Sequence, residues 1–155
     1  MRYRLFDWHE HIKDVEGEYK TARFALDHLK ARLISAPDLF AKNHEARSNL
    51  SNTDQNLEGT YLVRIFAAFE AALRSFDQAK NNDPTRREDA SVLIDSIGGR
   101  RGQGISNSVR LGAHQVRRAR NACAHESDVT SESISIRDAR ARLQTYLSWL
   151  PEEWG

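Results

Sequence analysis

Apolar residues recur at helical spacing along nearly the whole chain, and this constrains the fold more than any other feature. Only three prolines and eight glycines interrupt 155 residues, so few positions force a break. Tyr19, Ala22, Leu26, Leu29 and Leu33 repeat at intervals of three and four, which predicts a first helix from about Asp14 to Ile34, with Pro37 ending it. Leu62, Ile65, Phe66, Phe69, Leu73 and Phe76 predict a second from Thr60 to Ala79, broken by Asn81-Asn-Asp-Pro84. Residues 42–58 are polar and read either as a loop or as the exposed start of that second helix. Thr85-Arg-Arg-Glu88 has the spacing of a capping box and opens a short helix to about Ile97. The Gly- and Arg-rich stretch 98–104 reads as a flexible loop. Ser106 or Ser108 caps a third long helix ending near His125. After a polar connection at 128–135, Asp138 caps a last helix with Ala139, Leu143, Tyr146, Leu147 and Leu150 inward, stopped by Pro151. The expectation is an all-α, four-to-five-helix, up-and-down bundle. It forms a single domain over residues 1–155 with its core at about 14–151.

The third long helix carries the chemistry. At about 100° per residue, Val109, Ala113, Val116, Ala119 and Cys123 share one apolar stripe. Arg110, Arg117, Arg118, Asn121 and His125 lie opposite, whereas Arg120 falls inside the apolar stripe. A guanidinium there is costly unless a carboxylate, a phosphate or a wet cleft receives it. Close by in sequence, His125 is an imidazole able to move protons near neutral pH. A cation beside a proton-transfer group suits phosphodiester chemistry.

Charge distribution adds to this. The formal net charge is only +1, but no acidic residue occurs between Asp95 and Glu126, where Arg100, Arg101, Arg110, Arg117, Arg118 and Arg120 are found. Arginine's planar fork matches phosphate oxygens better than an ammonium does. Arg100, Arg101, Arg110, Arg117 and Arg118 are therefore candidate contacts to phosphate groups, with a solvated basic face as the plainer alternative.

Arg120-Asn121-Ala-Cys-Ala-His125, near the end of the third long helix of such a bundle, resembles the signature of the HEPN superfamily: Arg, a polar residue, then His after four to six intervening positions. A closing Leu-Ser-Trp-Leu-Pro after one more helix adds to the likeness. The resemblance implies a homodimer whose two motifs face each other across a cleft. It also implies metal-independent endoribonuclease activity in a toxin or phage-defence setting, with RNA as substrate and a cognate antitoxin or other defence protein as a further partner. Arg120 and His125 would then be the catalytic pair, with Asn121 as a positioning residue. Some members carry Glu-x-x-x-Lys-Arg on an earlier helix, and Glu70-Ala-Ala-Leu-Arg74 matches this only in part, because Ser75 takes the last position. One branch has a modified tyrosine two residues after the histidine, where this chain has Ser127. The alternative within the family is a catalytically inactive module that binds RNA or a protein partner.

Within one helix Arg120 and His125 point about 140° apart, so a site built from two copies solves a geometry that one copy does not. Other readings remain beside the catalytic one. Arg120 reads equally as half of a structural ion pair with Glu70, which is compatible with catalysis because a carboxylate can orient the guanidinium. Glu70 and Arg74 read as an ordinary i,i+4 pair, and His125 as a histidine bonding the last carbonyls of its helix. A plain helical dimerisation domain is the third reading of the chain. No metal or cofactor is expected, since His9-Glu10-His11 places its histidines two residues apart rather than one turn apart, and the 98–104 loop lacks the ending of a phosphate loop. A single cysteine, Cys123, expected in the core, permits no internal disulfide and fits a reducing compartment. With no signal-peptide core and no membrane-length apolar run, the expected location is cytoplasmic.

Overall fold

A computed structural model describes residues 3–98, 104–125 and 133–155, and shows an all-α bundle. Among the described residues there are five α-helices: α1 (Leu5–Ser35), α2 (His44–Asn81), α3 (Ala90–Ser96), α4 (Asn107–His125) and α5 (Ile136–Leu147). A 3₁₀ turn, Pro37–Phe40, joins α1 to α2. Near the two ends of the chain, β1 (Tyr3–Arg4) pairs antiparallel with β2 (Glu153–Trp154). No described helix is long and apolar enough to cross a membrane.

The second helix is the hub, contacting α1, α3, α4 and α5. Ile65, Phe66, Phe69, Ala72 and Leu73 line its buried side, and the Phe69 ring meets Tyr146 of α5 edge-on at 5.3 Å. The Tyr146 hydroxyl is buried with the ring but donates to the Ile94 carbonyl at 2.9 Å, so its desolvation is offset by a hydrogen bond. Burial pushes that phenol well above its ordinary titration range. The core also reaches past the expected limits of 14–151. Leu5 and Ile12 are buried at one end, and Trp154 at the other stands edge-on to Phe76 while its indole N–H donates to Ser75. Trp8 and Trp149 pack half-buried against the same core.

Several boundaries differ from expectation for local reasons. The first helix begins nine residues early, at Leu5 rather than Asp14, because Leu5, Ile12 and Val15 continue its buried face. The polar segment 42–58 is helix from His44, the second of the two readings. The Asn43 side chain accepts from Ala46 N at 2.9 Å as its cap, and Asp54 ties it to Arg23 (2.5 Å) and Lys30 (2.6 Å) of α1. Its far end is where the sequence put it: Asn82 takes the left-handed conformation, φ 50°, ahead of Pro84. The capping box at Thr85–Glu88 does not form. Thr85 instead bonds the Asp83 carboxylate, and Glu88 pairs with Arg86, which is held by buried Asp77 at 2.7 Å. This ionic chain spans a turn at Pro84–Thr85 and the irregular residues that follow, and α3 starts only at Ala90.

The last helix is capped by Ser135 and not by Asp138: Ser135 Oγ accepts from Asp138 N at 3.1 Å and donates to the Asp138 carboxylate at 2.8 Å. Ser135→Ala is expected to lower stability by about 1 kcal/mol in a urea titration. A midpoint equal to wild type would show the cap to be redundant.

Candidate functional site: the α2/α4 seam

Gly59 of α2 faces Cys123 of α4, and further along α2 Phe66 and Glu70 face Arg120, so the two helices run antiparallel. Arg120 does lie on the inward side of α4, half-buried against α2. Its guanidinium sits 5.2 Å from the centre of the Phe66 ring, close enough for a cation–π contact. The carboxylate expected to receive it is Glu70, whose Oε2 lies 3.6 Å from Arg120 Nη2. That separation is an ion pair without a hydrogen bond.

Glu70 is shared, and the sharing is unequal. Its other oxygen accepts from Arg74 Nη2 at 2.5 Å, so the i,i+4 pair within α2 takes the stronger contact. Both expected roles of Glu70 are thus present in one side chain. The pairing with Arg74 was legible from spacing alone, but its precedence over Arg120 was not. Phe66 beneath the guanidinium was expected only as a core residue.

Asn121 Oδ1 accepts from Arg120 Nη1 at 2.9 Å. The amide therefore steadies the arginine. His125 is the final residue of α4, as the sequence placed it. The cluster thus brings together Phe66, Glu70, Arg74, Arg120 and Asn121, one helical turn before the backbone position of His125.

The basic residues around it divide. Arg118 is exposed and Arg117 half-buried on the flank of α4. Arg110 is engaged within the fold: its guanidinium donates to the carbonyls of Ile94, Ile97 (2.9 Å) and Ile105 (3.2 Å). It closes the carboxyl end of α3 against the start of α4. Arg100 and Arg101 lie outside the described residues. His114, on the outward face, hydrogen-bonds Asp95 of α3 through Nε2 at 2.8 Å.

Cys123 is exposed rather than core, although α2 approaches it closely: a Cβ on Gly59 would stand 3.3 Å from the Cys123 Cβ and Sγ. It borders a shallow groove of about 370 Å³ lined also by Glu58, Leu62, Ala119 and Ile134. Partial burial and nearby Glu58 raise its thiol above the ordinary value, which disfavours the thiolate. Among the described residues no three His, Cys, Asp or Glu side chains are grouped so as to hold a metal ion. No family model matches the chain, and neither a curated protein nor a solved structure does.

Proposed function

We propose that the protein is a metal-independent endoribonuclease of HEPN type, acting as a homodimer in a toxin or antiviral setting. The observation that carries this reading is Arg120. It is a guanidinium turned into a helix seam, steadied by Asn121, and only loosely paired with Glu70 at 3.6 Å. A purely structural arginine in such a place would be expected to close its ion pair with hydrogen bonds. This one keeps donors for another acceptor.

In the proposed reaction the RNA 2′-oxygen attacks the adjacent phosphorus and the bond to the 5′-oxygen breaks, leaving a 2′,3′-cyclic phosphate and a 5′-hydroxyl. One imidazole takes the 2′-hydroxyl proton and a second gives a proton to the departing oxygen. Arg120 stabilises the charge gathered on the phosphoryl oxygens, and Glu70 and Asn121 position it. The two imidazoles are the His125 residues of the two subunits. Leu111, exposed on the outward face of α4, is an apolar side chain that such a pairing can bury. The antitoxin or defence-protein partner follows from the same family likeness.

Arg120→Lys is expected to lower cleavage about 10²–10³-fold, because a point charge cannot reproduce a fork aimed at two oxygens. Wild-type turnover in that variant would make the arginine merely structural. Expression in growing cells tests the setting: arrest by the wild type and none by His125→Ala is the expected pair of results, and equal growth of both contradicts it.

A further inference from the structure

Two arginines, Arg74 and Arg120, share the Glu70 carboxylate in the α2/α4 seam, and a third, Arg117, follows on the adjacent turn of α4. Arg74 lies one turn beyond Glu70 on α2, and Arg117 one turn before Arg120 on α4. Long helical side chains lean toward the amino end of their helix. Because the helices are antiparallel, this lean brings Arg117 to the level of Arg74, as it brings Arg120 to the level of Glu70.

The donors of these groups are largely unfilled. A guanidinium has five N–H donors. Arg120 gives one hydrogen bond, to Asn121, and its Nε is buried with no partner among the described residues. Arg117 Nε is in the same condition, and Arg117 makes no hydrogen bond or ion pair among the described residues. Two positive charges therefore face one negative one, half-shielded from water, and Arg117 brings a third cation with an unfilled donor to the adjacent turn of α4.

We propose that Arg74, Arg117 and Arg120 form a clasp for a phosphate group, with the Glu70 carboxylate holding the place of its oxygens. On binding, phosphate oxygens take the free donors of Arg74, Arg117 and Arg120, and Glu70 keeps only the one bond it accepts from Arg74. A tetrahedral oxyanion fits because it offers acceptors in several directions at once, as a single carboxylate does not. This rests on the reading of Arg120 as the phosphoryl-contacting cation, and adds Arg74 and Arg117 to that contact. It also makes Glu70 a competitor of the ligand as well as a positioning residue.

Titration calorimetry at fixed ionic strength tests it, with inorganic phosphate and separately with a 2′-O-methyl RNA oligonucleotide that resists cleavage. Arg117→Ala is expected to weaken phosphate binding about tenfold, and Glu70→Gln to tighten it about three- to tenfold. Arg137→Ala, an exposed arginine on α5, should leave it at the wild-type value. Thermal melting of each variant confirms that it is folded. Unchanged binding in Arg117→Ala, or weaker binding in Glu70→Gln, overturns the clasp. A chain that cleaves RNA while Arg117→Ala binds phosphate normally would remove this inference alone. Phosphate binding that follows these predictions in a chain with neither oligonucleotide binding nor cleavage would keep the clasp and remove the nuclease.

Discussion

Replacing His125 by alanine is expected to reduce RNA cleavage about 10²–10⁴-fold while leaving the fold intact, the range set by loss of one proton-transfer group. The residue closes α4, past the buried positions Ala113, Val116 and Ala119 in sequence. Circular dichroism and a thermal melt should match wild type, and sedimentation should show the same oligomer. A variant that cleaves as well as wild type would exclude His125 from the chemistry. A variant that loses both cleavage and stability would point instead to a histidine bonding the last carbonyls of its helix.

The largest effect on stability is expected from Phe69→Ala, about 3–5 kcal/mol. Phe69 is wholly buried, tilted against Phe66 at 5.7 Å and edge-on to Tyr146 at 5.3 Å. It adjoins Glu70 in sequence, so the same turn of α2 carries the centre of the core and the carboxylate of the site. The void left by the ring would loosen the packing of α2 against α5 and the seat of Phe66 under Arg120. Urea unfolding measures the loss. A change below about 1 kcal/mol would mean that the core collapses around the gap, contrary to a close-packed bundle.

What the sequence made legible follows the strength of periodic signals. The half of α2 from Thr60 onward was plain, because six large apolar side chains keep one face. Its first half, from His44, was ambiguous: it is held by an asparagine cap and by Asp54 reaching α1, and neither contact leaves an apolar trace. The same applies to the cap of α5. Ser135 and Asp138 occupy both ends of one capping arrangement, and spacing alone did not say which side chain accepts from the backbone. At Thr85–Glu88 a local pattern lost to tertiary charge, since Asp77 and Arg86 drew Glu88 away.

For the site, the misplaced cation was the readable part. Arg120 breaks the apolar stripe of α4, and a carboxylate on the neighbouring helix meets it. The division of labour among the other arginines was not readable. Arg110 and Arg117 look alike in sequence, yet one closes a helix end through three carbonyls while the other keeps a buried donor unfilled. Cys123 shows the converse. Its helical phase places it inward, against Gly59, yet the side chain stays exposed in the last turns of α4, so the buried stripe ends one turn earlier than its pattern.

The most direct measurement incubates purified wild-type protein with RNA in excess chelator and identifies the ends of the products. Fragments bearing 2′,3′-cyclic phosphate and 5′-hydroxyl termini, absent with His125→Ala, are the expected result. Intact RNA in the wild-type reaction, across substrates both single-stranded and structured, would contradict the account.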